Sequence, residues 1–366
     1  MKRNVFISIA LIFALFLAGC SSTNSSSNST PTDNKTTKTN TETKNSGDAK
    51  ERKDPLTIVW YPNESGSELA EARDALAEII KGATGLDVEH RTTTDYNIAI
   101  ETIANGNADL AFMGAIGYIE ANNRNNAVLP LVIPSGQSGT LDDAVYYGWL
   151  GVKKENAEMY KDGSSYSMEN IQGKKFSFVS TSSTSGFVVP ANSIVSHFSK
   201  KDDWKDLEAE DLLEGGSNNF FSEVSYGNSH QGTLVSLLTD RVEVAAFCDA
   251  CVGNYIELVD GEENRPGATY KIRDNADDPF TTFPGEEFTL ISVTPVLNAP
   301  FVVNTDKVDA DTIEKLIAAF TSDDVANNEA VFVPQDSEFK GLFSKRADER
   351  FLRVEDSWFN PLREMR

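Results

Sequence analysis

The chain has 366 residues, 40% of them apolar, and 33 Lys and Arg against 56 Asp and Glu residues give a formal charge of −23 at pH 7. The apolar content excludes a wholly disordered chain, and the acidic excess argues against nucleic-acid binding, because phosphate contacts need a basic face. Three Cys and three His residues are too few for a disulfide scaffold or a metal site with many ligands, so neither a metal nor a cofactor is expected.

Residues 1–20 are typical of an export signal. Lys2 and Arg3 precede an apolar run at 5–17 that is too short to span a bilayer. The run ends in Leu-Ala-Gly-Cys, which resembles the lipobox of bacterial lipoproteins, whose Cys is lipidated. We therefore predict a lipid anchor at Cys20, outside the cytoplasm on the bacterial cell membrane. An ordinary secretory signal with a chance Cys is the alternative.

Residues 21–54 form a segment with no apolar side chain large enough to build a core. Twenty of these 34 residues are Ser, Thr or Asn, and Val, Ile, Leu and aromatic residues are absent from the segment. Such a composition predicts a flexible tether. As a random coil it would span about 30 Å.

Residues 55–114 alternate between strand-like and helix-like patterns. The run at 56–61 is rich in β-forming residues, and a capping-box pattern at Ser65 to Glu68 opens a helix that stops near Gly82 or Gly85. A strand at 87–92, a helix at 96–105 and a strand at 108–113 complete a βαβαβ order. Repeated units of this kind predict a mostly parallel sheet with helices on both faces.

The same alternation restarts in the second half of the chain. Strands are predicted at 175–179, 223–226 and 242–247, with helices at 187–198 and 230–239, and an extended stretch at 289–303 precedes an amphipathic helix containing Ile313, Leu316, Ile317 and Phe320. The prediction is an α/β protein with two Rossmann-like lobes, one formed by 55–148 plus 297–366 and the other by 149–296. The chain is expected to cross between them near 146–153 and again near 292–303.

A run of six hydroxyl residues, 180–185, follows the predicted strand at 175–179. Ligands of open α/β sheets lie beyond the carboxyl ends of strands, where the N–H groups of a helix start favour anions. The run therefore predicts an oxyanion cradle. Simple helix capping in a Ser-rich loop is the alternative, and a helix that starts at Pro190 would leave the hydroxyls in a preceding turn.

His230 and Asp249 follow the next two predicted strands. Ser229 is a good N-cap, and His230 beside the positive helix end should stay neutral and donate to an anion, although a lone His is more often a surface or satisfied residue. Cys248 and Cys251 form a C-x-x-C pair around Asp249. Redox or zinc chemistry would need a further Cys/His pair for a zinc site, so a local disulfide or two inert thiols is the expected state.

Ser, His and Asp at three strand ends also suggest a hydrolase. The chain has no G-x-S-x-G elbow, and Gly136-Gln137-Ser138-Gly139 lacks the residue before the second Gly. It has neither a P-loop nor G-x-G-x-x-G, so nucleotide binding has no support. The chain is therefore not expected to be an enzyme.

The order of motifs from about 56 to 300 resembles the phosphonate/phosphite/phosphate-binding proteins of ABC importers, which have the two-lobed type II periplasmic-binding-protein fold. The matching pieces are Asp95-Tyr96, the run G-N-A-D-L-A-F-M-G at 106–114, S-T-S-G-F-V-V-P at 183–190, Ser229-His230, and V-E-V-A-A at 242–246 before Asp249.

The resemblance implies an extracytoplasmic binding protein that delivers a small anion to ABC permease and ATPase subunits. It implies that Ser183, Thr184 and Ser185 hold the phosphoryl oxygens, that Tyr96, Tyr146 and His230 complete the clamp, and that Asp249 meets the far end of the ligand. Aminoalkylphosphonate binders of this kind have a second carboxylate before a Pro, where this chain has Asn298; an aminoalkyl ligand is thereby disfavoured. A monomer is expected, and a sulfonate or a thiamine precursor is the alternative ligand.

Overall fold

A computed structural model describes residues 54–335, 337 and 339–365. The predicted export signal, Cys20 and all but the last residue of the predicted tether lie outside the described residues. No helix among the described residues has both the length and the apolar character needed to cross a bilayer.

The described residues form strands and helices in alternating order. The strands are β1 (Leu56–Trp60), β2 (Val88–Thr92), β3 (Leu110–Phe112), β4 (Val128–Pro134), β5 (Val145–Lys153), β6 (Lys161–Asp162), β7 (Ser165–Tyr166), β8 (Lys175–Phe178), β9 (Glu223–Tyr226), β10 (Val244–Cys248), β11 (Ile256–Asp260), β12 (Thr269–Ile272), β13 (Glu287–Leu297), β14 (Phe301–Asn304), β15 (Phe332–Pro334), β16 (Phe343–Lys345) and β17 (Phe351–Arg353). The α-helices are α1 (Ala70–Thr84), α2 (Tyr96–Ala104), α3 (Ala115–Arg124), α4 (Val189–Phe198), α5 (His230–Leu238), α6 (Asp249–Val252), α7 (Ala310–Phe320), α8 (Asp323–Ala326) and α9 (Asn360–Arg363).

Two large sheets organise these elements. The first has the order β17-β4-β14-β3-β1-β2, and the second has the order β11-β12-β13-β5-β10-β8-β9. The predicted α/β class is confirmed. The proposed lobe boundaries at 148/149 and 296/297 fall within β5 and near the end of β13.

The expectation of a mostly parallel sheet is wrong. β1 is parallel to β2 and β3, and β8 is parallel to β9 and β10, but the other neighbouring strands of both large sheets are antiparallel. The reason is that the chain returns: β14 comes back beside β3, and β13 comes back beside β5. Parallel pairing survives where a helical crossover joins neighbouring strands.

Local sequence explains where the helices begin and end. The Asp95 side chain accepts hydrogen bonds from the N–H groups of Asn97 and Ile98 and so caps α2. Helix α1 runs through Gly82 and ends at Gly85, whose φ of 75° lies in the left-handed region. Apolar residues of α7 face the core at helical spacing, as the sequence predicts.

The apolar core connects the two sheets. Its largest cluster contains Val59 and Ile133 from the first sheet and Phe178 and Val244 from the second, all fully buried. Separate clusters cover the remaining face of each sheet. The chain passes between the sheets at 135–144 and 298–300, and the N–H of Asn298 donates to the carbonyl of Ala144 at 3.1 Å.

Candidate functional site

A cavity of about 110 Å³ lies between the two sheets. Much of its wall comes from the segments that follow the carboxyl ends of β1, β2, β3, β8, β9 and β10, which is where ligands of open α/β sheets bind. Its volume is below the roughly 300 to 1,000 Å³ of sites for drug-sized ligands. The polar and charged side chains that line it are Asn63, Glu64, Tyr96, Tyr146, Ser183, Thr184, Ser185, His230, Asn254, Tyr255 and Asn298.

The hydroxyl run after β8 forms one wall of the cavity. Ser183, Thr184 and Ser185 line it and are at most 2% exposed. The Ser183 hydroxyl accepts a hydrogen bond from the N–H of Gly186 at 3.1 Å, and a π-helical turn over Thr184–Val188 leads directly into α4. Pro190 lies in the first turn of α4, so the hydroxyls precede that helix in a turn continuous with it.

Hydroxyls of this run also contact helix α3, which connects β3 and β4 of the first sheet. The N–H of Ile116, at the start of α3, donates to Thr184 Oγ1 at 2.9 Å. Ser182 Oγ donates to the carboxylate of Glu120 on the same helix at 2.9 Å. Since buried polar groups need partners, these contacts hold the two sides of the cavity together.

His230 opens α5 and is 3% exposed. Burial lowers the pKa of its imidazole to about 3, so the ring is neutral at physiological pH. Nε2 lies 3.5 Å from Ser183 Oγ, and Nδ1 has no hydrogen-bond partner within the described residues. A neutral ring can donate one hydrogen bond to an anion.

Tyr96 and Tyr146 line the same cavity as the hydroxyl run. Tyr96 accepts a hydrogen bond from Asn63 Nδ2 at 2.6 Å, which leaves its own proton available. Tyr146 donates to Ser185 Oγ at 3.1 Å. Burial raises the pKa of both phenols, so both remain protonated donors.

The structure places Asp249 outside the residues that line the cavity. Its Oδ1 accepts hydrogen bonds from the N–H groups of Tyr147 at 2.9 Å and Ala250 at 2.7 Å. Burial raises the pKa of this carboxyl to about 6. Contact between Asp249 and the far end of a ligand stays a prediction.

Cys248 and Cys251 are joined in a disulfide, and Cys251 lines the cavity. The two sulfurs and a ring nitrogen of His230 lie within 4.8 Å of one another. Because the sulfurs are bonded to each other, they offer no thiolate to a metal.

The side chains do not form a Ser-His-Asp triad. The Asp249 carboxylate is hydrogen-bonded to the N–H groups of Tyr147 and Ala250 and not to the imidazole of His230.

Five polar lining residues were missed or given another role by the sequence predictions: Asn63, Glu64, Asn254, Tyr255 and Asn298. Asn63 and Glu64 follow β1, and the strand-end rule that found Ser183 would have found them had it been applied to the first strand. The side chain of Asn298 lines the cavity and donates to the carbonyl of Pro134 at 2.8 Å. Asn63 also accepts from the N–H of His230 at 3.0 Å, which couples β1 to α5.

Comparison with known proteins gives a family match over most of the chain. Residues 58–359 match the family described as the periplasmic substrate-binding protein of phosphonate ABC transporters. One relative is the phosphate-import protein PhnD of Mycolicibacterium smegmatis, 26% identical over 192 residues, which are 52% of this chain and 57% of that protein. The alignment thus spans little more than half of the relative's length.

Two solved structures are similar over 85% or more of the chain. One is PhnD1 from Prochlorococcus marinus in complex with methylphosphonate, with a TM-score of 0.58, 13% identity and 85% and 97% of the two chains covered. The other is a binding protein of a phosphonate ABC transporter from Pseudomonas aeruginosa, with a TM-score of 0.59, 16% identity and 86% of each chain covered. At these identities the likeness shows a common fold.

Proposed function

The chain belongs to the family of periplasmic substrate-binding proteins of phosphonate ABC transporters. From this membership we propose that the protein binds a phosphorus oxyanion in its cavity and delivers it to a permease. The candidate ligands are phosphonate, phosphite and phosphate. Members of this family are transport proteins, so the hydrolase alternative is set aside.

One observation carries the proposal: buried neutral donors converge on a small cavity. Ser183, Thr184 and Ser185 with Tyr96, Tyr146 and His230 line it, whereas no Lys or Arg is among the described residues of its wall. Hydroxyl, phenol and imidazole donors suit the oxygens of a tetrahedral anion.

The number of donors is sufficient for useful affinity. A micromolar Kd corresponds to about −8 kcal/mol, and each hydrogen bond to a charged group contributes about 1.5 to 3 kcal/mol. About five such bonds supply roughly 8 to 15 kcal/mol, from which the costs of association and closure are subtracted.

We propose that the two sheets mark two lobes, which close around the ligand. The bounds 55–148 plus 297–366 and 149–296 approximate these lobes, because residues 145–148 of β5 lie in the second sheet. The contacts of Thr184 with Ile116 and of Asn63 with His230 are closed-state contacts on this proposal. A ligand favours closure only through interactions made in the closed state. The permease and ATPase would then recognise the closed form of a monomer.

Lipidation at Cys20 and the tether at 21–54 complete the proposal. Each buried acyl methylene contributes about 0.8 kcal/mol, so two or three chains would hold the protein at the outer face of the membrane. A tether of about 30 Å would let the folded part reach a permease in the same membrane.

The ligand class is tested by thermal shift with phosphate, phosphite, methylphosphonate, 2-aminoethylphosphonate, sulfate and a thiamine precursor. We expect at least one phosphorus oxyanion to raise the melting temperature at millimolar concentration, since a ligand that binds only the folded state stabilises it. A response to the thiamine precursor alone, or to sulfate alone, would refute the proposal. Calorimetry then ranks the oxyanions by Kd.

A further inference from the structure

The carboxyl group of Glu64 has no role in the donor set described above. Glu64 closes the 3₁₀ turn Pro62–Glu64 after β1 and lines the cavity. Its Oε2 is buried and has no hydrogen-bond partner within the described residues. A buried carboxyl oxygen without a partner is costly unless a ligand or a proton satisfies it.

The nearest cation does not neutralise this carboxyl group by direct pairing. Arg73 of α1 donates instead to the backbone carbonyls of Glu64 and of Gly66, the latter at 2.8 Å. The guanidinium is therefore directed at the main chain. Its charge still lowers the pKa of Glu64, but that effect is smaller than the effect of burial.

The other groups that face Glu64 keep one protonation state near neutral pH. The phenols of Tyr61, Tyr96 and Tyr146, on the segment after β1, on α2 and on β5, have pKa values raised by burial and by the charge of Glu64 itself. The imidazole of His230 on α5 has a pKa lowered to about 3 by burial.

The other titratable groups near the wall, including Asp249, which does not line the cavity, also keep one protonation state above pH 7. Asp249 has a pKa raised to about 6 by burial, and Cys251 is held in a disulfide. Tyr255, which also lines the cavity, donates to the carboxylate of Glu68 at 2.6 Å, and burial together with that contact raises the pKa of its phenol. Among the described residues that line the cavity, Glu64, whose pKa burial raises to about 8, is therefore the group that titrates between pH 7 and 10.

An ionised Glu64 and a doubly charged oxyanion would repel each other in this cavity. Charges interact strongly where water is excluded, and no Lys or Arg is among the described residues of the wall. One proton placed between the carboxyl group and the ligand removes the repulsion. It also turns the unpartnered Oε2 into one end of a charge-assisted hydrogen bond.

We propose that Glu64 and the bound oxyanion share one proton, so that the occupied cavity holds one proton whichever partner carried it in solution. The inference rests on the proposed function and makes Glu64 a determinant of ligand protonation. Above the pKa values of both partners, binding takes one proton from solvent. Below both, binding releases one.

The test is calorimetric titration of methylphosphonate into the full chain between pH 6 and 9.5, in buffers of different ionisation enthalpy. Methylphosphonate has no amine, so a carboxylate has no ammonium to pair with. We expect uptake of about one proton per ligand at pH 9.5 and a roughly tenfold weaker Kd per pH unit above pH 8, as one-proton linkage requires.

The informative variant is Glu64→Gln, whose amide donates without needing a proton. We expect its proton uptake at pH 9.5 to fall to near zero, and its affinity there to exceed that of the parent by about tenfold or more. Glu71→Gln, which removes an exposed acid of α1, should keep the pH dependence of the parent.

Two results with the Glu64→Gln variant would overturn the inference while leaving the proposed function intact. One is methylphosphonate binding with the same proton uptake in Glu64→Gln and the parent. The other is a variant that loses affinity for 2-aminoethylphosphonate alone, which would assign Glu64 to a ligand ammonium. If Glu64→Gln does not fold, the parent protein alone provides the test. Binding of methylphosphonate by the parent at pH 9.5 without proton uptake would also refute the shared proton. Failure of the parent to bind any phosphorus oxyanion would instead refute both proposals.

Discussion

Single hydroxyl groups of the cavity wall have protein partners before any ligand is considered. Thr184 Oγ1 accepts the N–H of Ile116, so its own proton is free to point into the cavity. We expect Thr184→Ala to weaken oxyanion binding by about 1 to 3 kcal/mol, or roughly 5- to 150-fold, because one donor is lost and one N–H loses its acceptor. Calorimetry measures the change.

Thr184→Ser is the matched control for this residue. It keeps the hydroxyl and removes a methyl group, so the affinity should stay within a few fold of the parent. Equal affinity in Thr184→Ala and the parent would exclude Thr184 from the ligand's donors.

The buried imidazole of His230 links stability to acid. Its pKa is about 3 in the folded protein and about 6.5 in an unfolded chain. Between these values the unfolded state binds the extra proton, so the free energy of unfolding falls as pH falls, by up to about 1.4 kcal/mol per pH unit. Above pH 6.5 this contribution is constant.

We expect His230→Asn to show a shallower loss of stability between pH 6.5 and 4.5 than the parent, measured by urea unfolding. His197→Asn, which removes a half-buried His paired with Glu169, should retain the steep dependence. Identical slopes for His230→Asn and the parent would show that His230 is protonated in the folded state.

The site residues that could be predicted from the sequence are those marked by a pattern in their immediate neighbours. Ser183, Thr184 and Ser185 stand as a run before a helix, and the structure brings them to one cavity with His230. Glu64 gave no comparable signal, because a single acid in a turn is ordinary until its burial is known. Asp249 follows a strand as predicted, yet its carboxylate caps nearby N–H groups, and side-chain direction is not readable from spacing.

At the level of elements, close approach at Gly114 lets the start of α3 meet the hydroxyl run. A Cβ at Gly114 would lie 2.9 Å from Thr184 Oγ1, closer than real contacts allow. We expect Gly114→Ala to lower the free energy of unfolding by about 1 to 3 kcal/mol, as overpacking does, and to weaken ligand binding as well. Thermal and urea unfolding with calorimetry measure both.

Gly82→Ala is the control for this substitution. Gly82 lies within α1, and a Cβ there would have no neighbour within 4 Å. Alanine is the better helix former by about 0.8 to 1 kcal/mol, so this variant should be as stable as the parent or more so. A stable, tight-binding Gly114→Ala protein would show that the contact between α3 and Thr184 is dispensable.

Elements with a strong local period were predictable, and pairing between distant strands was not. The helix at α7 and the strand at β1 match the sequence predictions closely, because apolar spacing identifies each of them. The antiparallel return of β13 beside β5 joins segments about 140 residues apart. No property of either strand alone specifies that partner, which is why a mostly parallel sheet was wrongly expected.

At the scale of the whole molecule, an ion pair that joins the two halves of the fold should favour the closed form. Arg346 follows β16, on the side of the first sheet, and its guanidinium contacts both carboxylate oxygens of Glu263, between β11 and β12, at 2.5 and 2.7 Å. The pair is partly exposed, so its value is about 1 kcal/mol or less. We expect Arg346→Ala to weaken ligand affinity by up to about fivefold.

Calorimetry at low and high salt measures this effect, and the difference from the parent should shrink in 0.5 M salt, which screens partly exposed pairs. Arg353→Ala removes a comparable pair with Glu314 within the first half of the fold, at 3.1 Å, and should leave affinity unchanged. Equal losses in the two variants would refute a role of the Arg346 pair in closure.

The two passages between the sheets run side by side, and this has a mechanical consequence. Ala144 and Asn298 are joined by a backbone hydrogen bond, and β5 and β13 continue as paired strands from Val145 and Leu297. Two connecting segments that are hydrogen-bonded to each other resist twisting and sliding, but they can bend together about one axis. We therefore expect the cleft to open by rotation about this one axis, on the side away from the two connecting segments. The ligand would then enter from one direction.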